Sequence, residues 1–331
     1  MNRLGLAFVG AALAVTLGAC SGDDTSSATD SGTGSTGSTG SSSGSSGESS
    51  TTGTTGAATE TSTTGADTAA DGEPCVANAD CASLACLKYT DNDASATCTA
   101  APAGGNTRIT GTVFDFVSGA TVAGAELKVV GALSALQNPG EATPIVTATS
   151  MADGRLDVTS TEPISAGIGI VGTIGGSGLY LAATGLASPV MGSSYGPMSS
   201  IHDVWAMPQA SLDAWNGLLA GDPDLAAYLP LGDKGGVVGK IRNKNTGAGI
   251  AGAKVVPVTE PSNALIRYLN EAGDAFVSDA TSSSGIFVLV APGLAEEFTV
   301  DIGGSVIAET TGKAGSASTG AVFMLILGVD Q

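Results

Sequence analysis

The chain has 331 residues, of which 31 are acidic and 12 basic, so its formal net charge at pH 7 is −19. This excess of negative charge argues against nucleic acid or anionic lipid surfaces as partners, because both carry charge of the same sign. Only 13% of residues are charged and 4% aromatic, while glycine alone supplies 49, a composition typical of secreted β-rich domains and flexible tethers.

The first 20 residues have the order of an export signal. Arg3 precedes an apolar run over residues 6–17, and small residues then lead to Cys20. The run is shorter than the roughly 20 residues that a membrane-spanning helix needs. A charged start, a short apolar run and small residues at the cleavage point are typical of a signal peptide. A cysteine at that point resembles the lipobox of bacterial lipoproteins.

The lipobox resemblance implies that residues 1–19 are a signal peptide and that Cys20 is lipidated. An ordinary secretory signal cleaved after Ala19 is the alternative. Each buried methylene is worth about 0.8 kcal/mol, so several acyl chains would hold the protein firmly to a membrane. By analogy with known sorting rules, Ser21 favours the outer membrane. We therefore expect a lipid-anchored protein of the cell envelope whose contact with the membrane is its N-terminal lipid.

Residues 20–74 are predicted to be a disordered tether. From Ser21 to about Asp71 the chain is almost wholly Ser, Thr, Gly, Ala and acidic residues. Such a segment cannot bury enough apolar surface to offset its chain entropy. As a flexible coil it would span roughly 40 Å on average. A glycosylated stalk is the alternative, because Ser and Thr dominate the composition.

Residues 75–105 form a cysteine-rich segment with the spacing C-x5-C-x4-C-x11-C, made by Cys75, Cys81, Cys86 and Cys98. An even set of cysteines in an exported chain indicates two disulfide bonds. A zinc site, the competing interpretation, usually has C-x2-C spacing and lies in a reducing compartment. Of the three possible pairings we favour Cys75–Cys86 with Cys81–Cys98, since each loop is then short but not strained. We expect a structural role for this segment, with no metal.

An internal repeat indicates the unit of folding in the rest of the chain. Residues 111–129 and 239–257 match, with glycines eight and then five positions apart in both copies. A later anchor also recurs, at residues 149–154 in the first copy and 281–285 in the second. These matches predict two similar modules.

Alternation and apolar runs predict the strands of these modules. Ala125, Leu127 and Val129 alternate with polar residues, which indicates a half-buried strand. By contrast, residues 286–290 and 321–327 are apolar on both faces, so central strands are expected there. Pro257 lacks a backbone donor and is expected at a sheet edge.

The repeated pattern resembles the carboxypeptidase regulatory-like domain, a transthyretin-like or immunoglobulin-like β-sandwich. The resemblance is carried by Gly124-Ala125 and Gly252-Ala253, and by the later turns Asp153-Gly154 and Ser284-Gly285. The first copy departs from the pattern at Leu156, since an aromatic residue is usual after this turn. The resemblance implies two non-catalytic modules, at residues 106–207 and 234–331, that support folding, spacing or binding.

Residues 208–233 between the modules are predicted to be a helical connector. One helical face would carry Leu212, Trp215, Leu218 and Leu219, with Ser211 capping the start. A second short helix is expected to begin near Asp222. The two tryptophans, Trp205 and Trp215, are interpreted as packing against the sandwiches, and a ligand platform with exposed rings is the alternative.

A weak hydrolase motif surrounds Ser194, in the run Gly-Ser-Ser-Tyr-Gly over residues 192–196. A nucleophile elbow needs a strand before the serine and a helix after it, with an acid and then a histidine later in the chain. Pro197 follows at once, and the only histidine is His202. A serine hydrolase using Ser194 is therefore a remote alternative, and no catalytic residue is assigned.

A calcium loop is suggested by Asp91 and Asp93 but fails at later positions. Position six is Ala96 rather than glycine, and position twelve is Pro102 rather than glutamate. A looser carboxylate site that uses Asp91, Asp93 or Glu126 is the alternative.

The sequence as a whole predicts a mainly β protein: a signal peptide, a disordered stalk, a small disulfide-rich segment, and two tandem Ig/transthyretin-like β-sandwich domains with a short helical connector. We expect a non-enzymatic surface lipoprotein, without cofactor or metal, that displays its sandwiches for binding or adhesion. Its ligand would be a protein or a glycan, and no nucleic acid partner is expected. A scaffolding component of an envelope complex is the alternative.

Overall fold

The computed structural model describes residues 68–187, 194–293, 295–314 and 320–330. The predicted signal peptide, Cys20 and most of the predicted tether lie outside the described residues. All described strands and helices and both disulfide bonds fall within Thr63–Gln331, which forms one compact unit. This part of the chain is therefore a self-contained folding unit.

The described chain is mainly β, as predicted, with seventeen strands and two α-helices. The helices are α1 (Ala132–Gln137) and α2 (Gln209–Leu219). The strands are, in chain order, β1 (Cys86–Leu87), β2 (Thr97–Cys98), β3 (Arg108–Asp115), β4 (Glu126–Gly131), β5 (Val146–Thr149), β6 (Arg155–Thr159), β7 (Ile170–Gly176), β8 (Leu179–Ala187), β9 (Met198–Pro208), β10 (Val237–Asn243), β11 (Ala253–Pro257), β12 (Leu265–Leu269), β13 (Phe276–Val277), β14 (Ile286–Val290), β15 (Glu296–Ile302), β16 (Ser305–Ala314) and β17 (Val322–Val329).

The first sandwich contains strands β3 to β9. In one layer the order is β5-β4-β7-β8, and in the other β9 and β6 flank β3. A single core joins the two layers, because strands of both contribute fully buried side chains to it: Ile109, Leu127, Leu156, Ile174 and Val204. Side chains that alternate across each strand bury one face against the opposite layer, which is the packing of an immunoglobulin-like sandwich.

The second sandwich contains strands β10 to β17. One layer has the order β13-β12-β14-β10-β17, and the other has the order β11-β15-β16. The core between the layers includes Ile241, Val255, Phe287, Phe298 and Leu327. The fold therefore contains two β-sandwiches, as the internal repeat predicts.

The strand predictions for burial and position are confirmed. Every residue of β14 is buried, and β14 lies inside its sheet between β12 and β10. β17 is also internal, between β10 and β8. Pro257 ends β11, which is an edge strand of the three-stranded sheet. Leu127 and Val129 are buried in β4 while Glu126 is exposed.

The repeat extends to individual hydrogen bonds. After the first strand of each sandwich, the side-chain oxygen of Asp115 or Asn243 accepts hydrogen bonds from the backbone N–H groups two and three residues ahead. The same residues' carbonyl groups accept from the N–H groups of Gly119 and Gly247. Asp and Asn stabilise such turns because their short side chains bond to the following backbone.

In the second matching stretch of the repeat, residues 149–154 and 281–285, the structural equivalence differs by one residue from the alignment of the sequences. The Ser150 hydroxyl accepts from the N–H of Ala125 at 2.9 Å and donates to a carbonyl three residues before Ala125 at 2.7 Å. The Thr281 hydroxyl makes the same pair of bonds around Ala253, at 2.9 and 2.6 Å. Ser150 is therefore the equivalent of Thr281. Thr149, with which the sequence match begins, points to solvent.

The two sandwiches share a sheet and a core. β8 of the first pairs in parallel with β17 of the second, through Ala182 with Val322 and Ala183 with Phe323. Behind this pairing, one buried cluster combines Met207 of β9 with Val288 of β14 and with α2. The sequence predicts two tandem sandwiches with a connector, and the structure adds the direct fusion of their sheets.

The connector helix carries the predicted apolar face. Leu212, Trp215 and Leu219 are buried, whereas Leu218 is 37% exposed. Trp215 packs edge-on against Phe276, with ring centroids 6.0 Å apart. The tryptophan therefore belongs to the shared core, as the packing interpretation predicts.

The predicted start of this helix is wrong by three residues. α2 begins at Gln209 directly after β9, and Pro208 occupies the N-cap position without a side-chain hydrogen bond. Ser211 lies within the first turn rather than before it. The predicted second helix is a single 3-10 turn, Ala226–Tyr228.

Tyr268 links the two layers of the second sandwich. Its hydroxyl oxygen accepts a hydrogen bond of 2.9 Å from the N–H of Val255, on the edge strand β11. The side chain is buried, and burial, outweighing this hydrogen bond, raises the pKa of Tyr268 to about 12. The protonated phenol is thus the form that the fold holds.

This raised pKa predicts a loss of stability in alkali. An unfolded tyrosine titrates near pH 10, so the unfolded chain releases its proton first and the stabilisation is lost as pH rises from 10 to about 12. We expect the free energy of unfolding to fall by about 2 kcal/mol over this range because of Tyr268. Urea unfolding of the wild type and Tyr268→Phe at several pH values measures the difference. Identical pH dependences would contradict the assignment.

Candidate functional site

Two places in the described chain bring chemically distinctive groups together. One is the contact of the cysteine-rich segment with both sandwiches. The other is an apolar cleft beside the β8–β17 pairing. The structure also shows where the residues of the predicted sites lie, namely Ser194, Asp91 and the two tryptophans.

The four cysteines form two disulfide bonds, Cys75–Cys86 and Cys81–Cys98, with Cα atoms 6.0 and 5.4 Å apart. This is the pairing favoured from the loop lengths. The sulfur atoms of Cys75, Cys81 and Cys86 lie within 4.8 Å of one another. Because all three are in disulfide bonds, none offers the thiolate that a zinc ion requires.

The end of the predicted tether is hydrogen-bonded into the cysteine-rich segment. The N–H of Ala69 donates to the carbonyl of Asp80 at 2.6 Å, and the N–H of Ala82 donates back to Ala69 at 3.0 Å. The N–H of Gly72 donates to the carbonyl of Cys98 at 2.8 Å. Residues 69–72 are therefore held by the disulfide-bonded segment.

The cysteine-rich segment docks on the first sandwich through partly buried polar contacts. The Thr110 hydroxyl donates to the carbonyl of Lys88 at 2.6 Å, and the Tyr89 hydroxyl donates to Asp157 at 2.7 Å. Arg108 donates to both oxygens of the same carboxylate, at 2.8 and 2.5 Å. Asp157, on β6, thus connects the paired strands β3 and β6 of the sandwich to the cysteine-rich segment.

The pKa shifts in this contact match its hydrogen bonds. Burial and the hydrogen bond to Asp157 both raise the pKa of Tyr89. Burial alone would raise the pKa of Asp157, but the hydrogen bonds from Arg108 and Tyr89 outweigh it and lower the pKa. At neutral pH the acceptor is therefore charged and the phenol keeps its proton, which is the combination that the contact needs.

Arg242 joins three parts of the protein, and we name it with Asp91, Asp203 and Trp205 the junction cluster. Arg242 lies on β10 of the second sandwich and Asp203 on β9 of the first, and their side chains form an ion pair of 2.7 Å. The other guanidinium nitrogen pairs with Asp91 of the cysteine-rich segment. The Trp205 ring lies against the guanidinium, 5.5 Å from its central carbon. One cation thus holds the segment and both sandwiches together.

The junction cluster is largely removed from solvent. The side chains of Arg242 and Asp203 are 11% and 12% exposed, and Asp91 is 39% exposed. The N–H of Asp91 also donates to Asp203 at 3.1 Å. Buried charges are tolerated when they are paired and hydrogen-bonded in this way. The arrangement holds structure together, because both carboxylates of the cluster are paired with the Arg242 guanidinium.

The looser calcium site is not assembled. Asp91 pairs with Arg242, and Asp93 accepts hydrogen bonds from Tyr89 and Ser95. Burial acts to raise the pKa of Asp93, but these hydrogen bonds outweigh it and lower the pKa. Within the described residues, Asp91, Asp93 and Glu126 do not approach one another at metal-ligand distances.

The region of Ser194 does not form a nucleophile elbow. Ser194 is exposed, Tyr195 after it is buried, and the chain continues into strand β9 rather than into a helix. The backbone of His202 lies within β9, opposite Gly111. Gly192, at the start of the motif, is outside the described residues. Because the strand–turn–helix context is absent from this described stretch, the hydrolase alternative loses its structural basis.

The tryptophans do not form a ligand platform. Trp205 is 8% and Trp215 is 5% exposed. Both rings pack edge-on against Phe116, with centroids 6.0 and 6.2 Å apart. Buried aromatic rings in edge-to-face contact contribute to core packing.

An apolar cleft of about 220 Å³ opens at the joint between the sandwiches. Helix α1 and the start of β7 form one wall, and the beginning of β17 with the end of β16 forms the other. The wall residues include Ala135, Ile168, Val171, Ala314 and Phe323. No sequence pattern predicts this site, because its residues come from distant parts of the chain.

Comparison with known proteins leaves the family open. No protein-family model and no curated protein matches the chain. Among solved structures, the Bacillus anthracis TIE protein matches at 14% identity and a TM-score of 0.21, over 67% of this chain and 34% of its own. Hydroxyquinol 1,2-dioxygenase from Pseudomonas putida DLL-E4 matches at 17% identity and a TM-score of 0.22, over 33% of this chain and 58% of its own.

A third similar structure is the shaft pilin spaA from Lactobacillus rhamnosus GG. It matches at 8% identity and a TM-score of 0.20, over 68% of this chain and 98% of its own. The chain thus spans about a third of the TIE protein and more than half of the dioxygenase. Among the described helices, neither the length nor the apolar character needed to cross a bilayer is found.

Proposed function

We propose that the chain is a lipid-anchored protein of the bacterial cell envelope, in the outer membrane, that displays its fused β-sandwiches for binding or adhesion. Cys20 would carry the lipid, and the Ser/Thr/Gly-rich stretch would separate the folded part from the bilayer. The ligand would be a protein or a glycan. The proposal includes no catalytic step, cofactor or metal.

The junction cluster is the observation that supports this proposal best. Residues 69–72, at the end of the tether, are hydrogen-bonded to the disulfide-bonded segment. That segment is in turn paired through Arg242 with both sandwiches. A pull on the tether therefore acts on the whole folded part rather than on one sandwich. Such a connection suits a protein that is anchored at one end and binds at the other.

The charges of the folded part support a binding role over catalysis. Arg108, Arg242 and Arg267 each pair with carboxylates, in contacts between elements rather than in an open cleft. The net charge of −19 disfavours nucleic acid as the partner. A neutral or positively charged surface, as many proteins and glycans present, suits the charge of the chain.

The lipid anchor is tested by metabolic labelling with an alkyne fatty acid. We expect the wild type to be labelled and to partition into detergent, because the thiol of Cys20 is acylated. Cys20→Ala should lose both properties. The matched control is the double variant Cys75→Ser, Cys86→Ser, which removes two other cysteines and should keep the label. An unlabelled wild type, or a labelled Cys20→Ala chain, would overturn the proposal.

A further inference from the structure

The apolar cleft exists because small residues line the joint between the sandwiches. The β8–β17 ladder contains two residue pairs, and the chains on either side of it separate. Ala132 and Ala135 of α1 and Ala183 and Gly185 of β8 line the opening on the side of the first sandwich. Their short side chains leave a space that larger residues would fill. Pockets for small ligands often lie at such interfaces between domains.

The cleft continues into exposed apolar surface. Leu133 on α1 and Ile168 before β7 are each 56% exposed, and Ile168 lines the cleft itself. Exposed apolar residues that adjoin a concave apolar site indicate binding more strongly than scattered ones do. The wall offers few polar groups, so it suits a hydrocarbon chain better than a sugar.

A strained residue forms part of the rim. Ala295 lines the cleft and has a φ of +53°, and Ala291 at the other end of the same loop has a φ of +54°. A non-glycine residue pays about 1–2 kcal/mol for this left-handed conformation. Such strain is concentrated at binding and active sites. Ala295 is therefore held in a costly backbone conformation where it meets the cleft.

A single charge marks the cleft. Lys313, near the end of β16, is exposed and is the one charged residue in the described lining. Glu297 lies opposite Lys313 in the β15–β16 ladder, on the same face of the sheet, so it partly screens the ammonium charge, but only Lys313 lines the cleft. An ammonium group beside an apolar slot complements a molecule with a hydrocarbon tail and one negative head group. Lys313 therefore favours an anionic ligand at the cleft, whereas the net negative charge of the whole chain favours a cationic one.

We propose that the cleft binds the tail of a small amphiphile with a carboxylate head group, such as a medium-chain fatty acid. The tail lies against the small residues of α1 and β8, and the carboxylate stays in solvent beside Lys313. A volume of about 220 Å³ admits a short chain rather than a whole phospholipid. The inference names a ligand class for the displayed protein and in that sense rests on the proposed function, although the site itself needs no anchor.

The test compares three probes that share a ten-carbon tail and differ in the head group, each titrated into residues 63–331 without detergent. The two ionic probes are kept below their critical micelle concentrations and decanol below its solubility limit. The probes are decanoate, decanol and decyltrimethylammonium, and calorimetry measures binding. We expect saturable binding of decanoate, and binding of decanol weaker by about fivefold, the factor for one partly screened charge pair. If only the net negative charge of the chain mattered, decyltrimethylammonium would bind more tightly than decanoate.

Two variants separate the tail and head contributions. Lys313→Gln should weaken decanoate binding about fivefold and leave decanol unchanged, and Lys313→Arg should restore it. Lys254→Gln, at an exposed position on β11, is the matched control and should have no effect. Ala135→Leu should reduce the binding of both probes by filling the cleft, with circular dichroism checking that the variant is folded.

Three outcomes would overturn the proposal. They are no saturable binding of decanoate, equal binding of decanoate and decanol, or an effect of Lys254→Gln as large as that of Lys313→Gln. If Ala135→Leu does not fold, the Lys313 variants still test whether decanoate binds at the cleft. Loss of the fatty-acid label at Cys20 would overturn the anchor and leave this result untouched, so the two proposals fail separately.

Discussion

Replacing Gly285 with alanine is expected to lower the free energy of unfolding by about 4 kcal/mol, the sum of a backbone and a packing effect. Gly285 has a φ of +69°, a conformation that L-residues adopt at a cost. An added Cβ would also collide with the carbonyl oxygen of Ile241. That backbone cannot move away, because the N–H of Ile241 donates to the carbonyl of Gly285 at 2.9 Å.

Gly247→Ala is the matched control for this prediction. Gly247 has a φ of +71°, nearly that of Gly285, but a Cβ there would have no neighbour within 4 Å. The backbone effect alone should cost about 1 kcal/mol. Urea unfolding of both variants measures the two losses. If they were equal, the close approach of the strand to Gly285 would not be the cause.

The second large effect is expected at the junction cluster. Arg242→Met should lower the free energy of unfolding by about 3 kcal/mol, because it leaves the buried carboxylate of Asp203 without its partner. The loss of the pair with Asp91 should add little, since that carboxylate is 39% exposed and partly screened by solvent. Chemical unfolding of the disulfide-bonded protein measures the change.

The charge effect can be separated from loss of packing. Adding Asp203→Asn to Arg242→Met should recover part of the stability, because no charge then remains buried and unpaired. Lys244→Met is the matched control, since Lys244 pairs with Asp330 in an exposed contact and its loss should not be measurable. A double variant no more stable than Arg242→Met would mean that packing around Trp205, not charge, carries the effect.

The features that could be predicted from the sequence are those with local spacing. The repeated Gly-Ala pairs at residues 124 and 252 mark turns that lead into similar strands, and the structure has both. Two disulfide bonds follow from four cysteines close together in the chain, and of the three possible pairings the structure has the one favoured from the loop lengths. β14 and β17 are recognisable because only strands buried on both faces are apolar throughout.

The features that could not be predicted depend on distant contacts. Nothing near Arg242 in the sequence indicates Asp91, which is 151 positions away. The equivalence of Ser150 and Thr281 becomes visible only through their hydrogen bonds, because Thr149 matches threonine by letter but points to solvent. The start of α2 was misplaced because Ser211 resembles a cap, whereas the helix continues directly from β9. The cleft has no sequence pattern at all.

The pairing of β8 with β17 has a consequence for how the chain matures. About 140 positions separate Ala182 from Val322, so a chain synthesised from its N-terminus completes β8 long before β17 is available. An unpaired strand edge readily recruits strands of other molecules, and contacts so far apart in sequence form late. The first sandwich should therefore pass through an intermediate with an open strand edge on β8, which closes when β17, the last described strand, pairs with it.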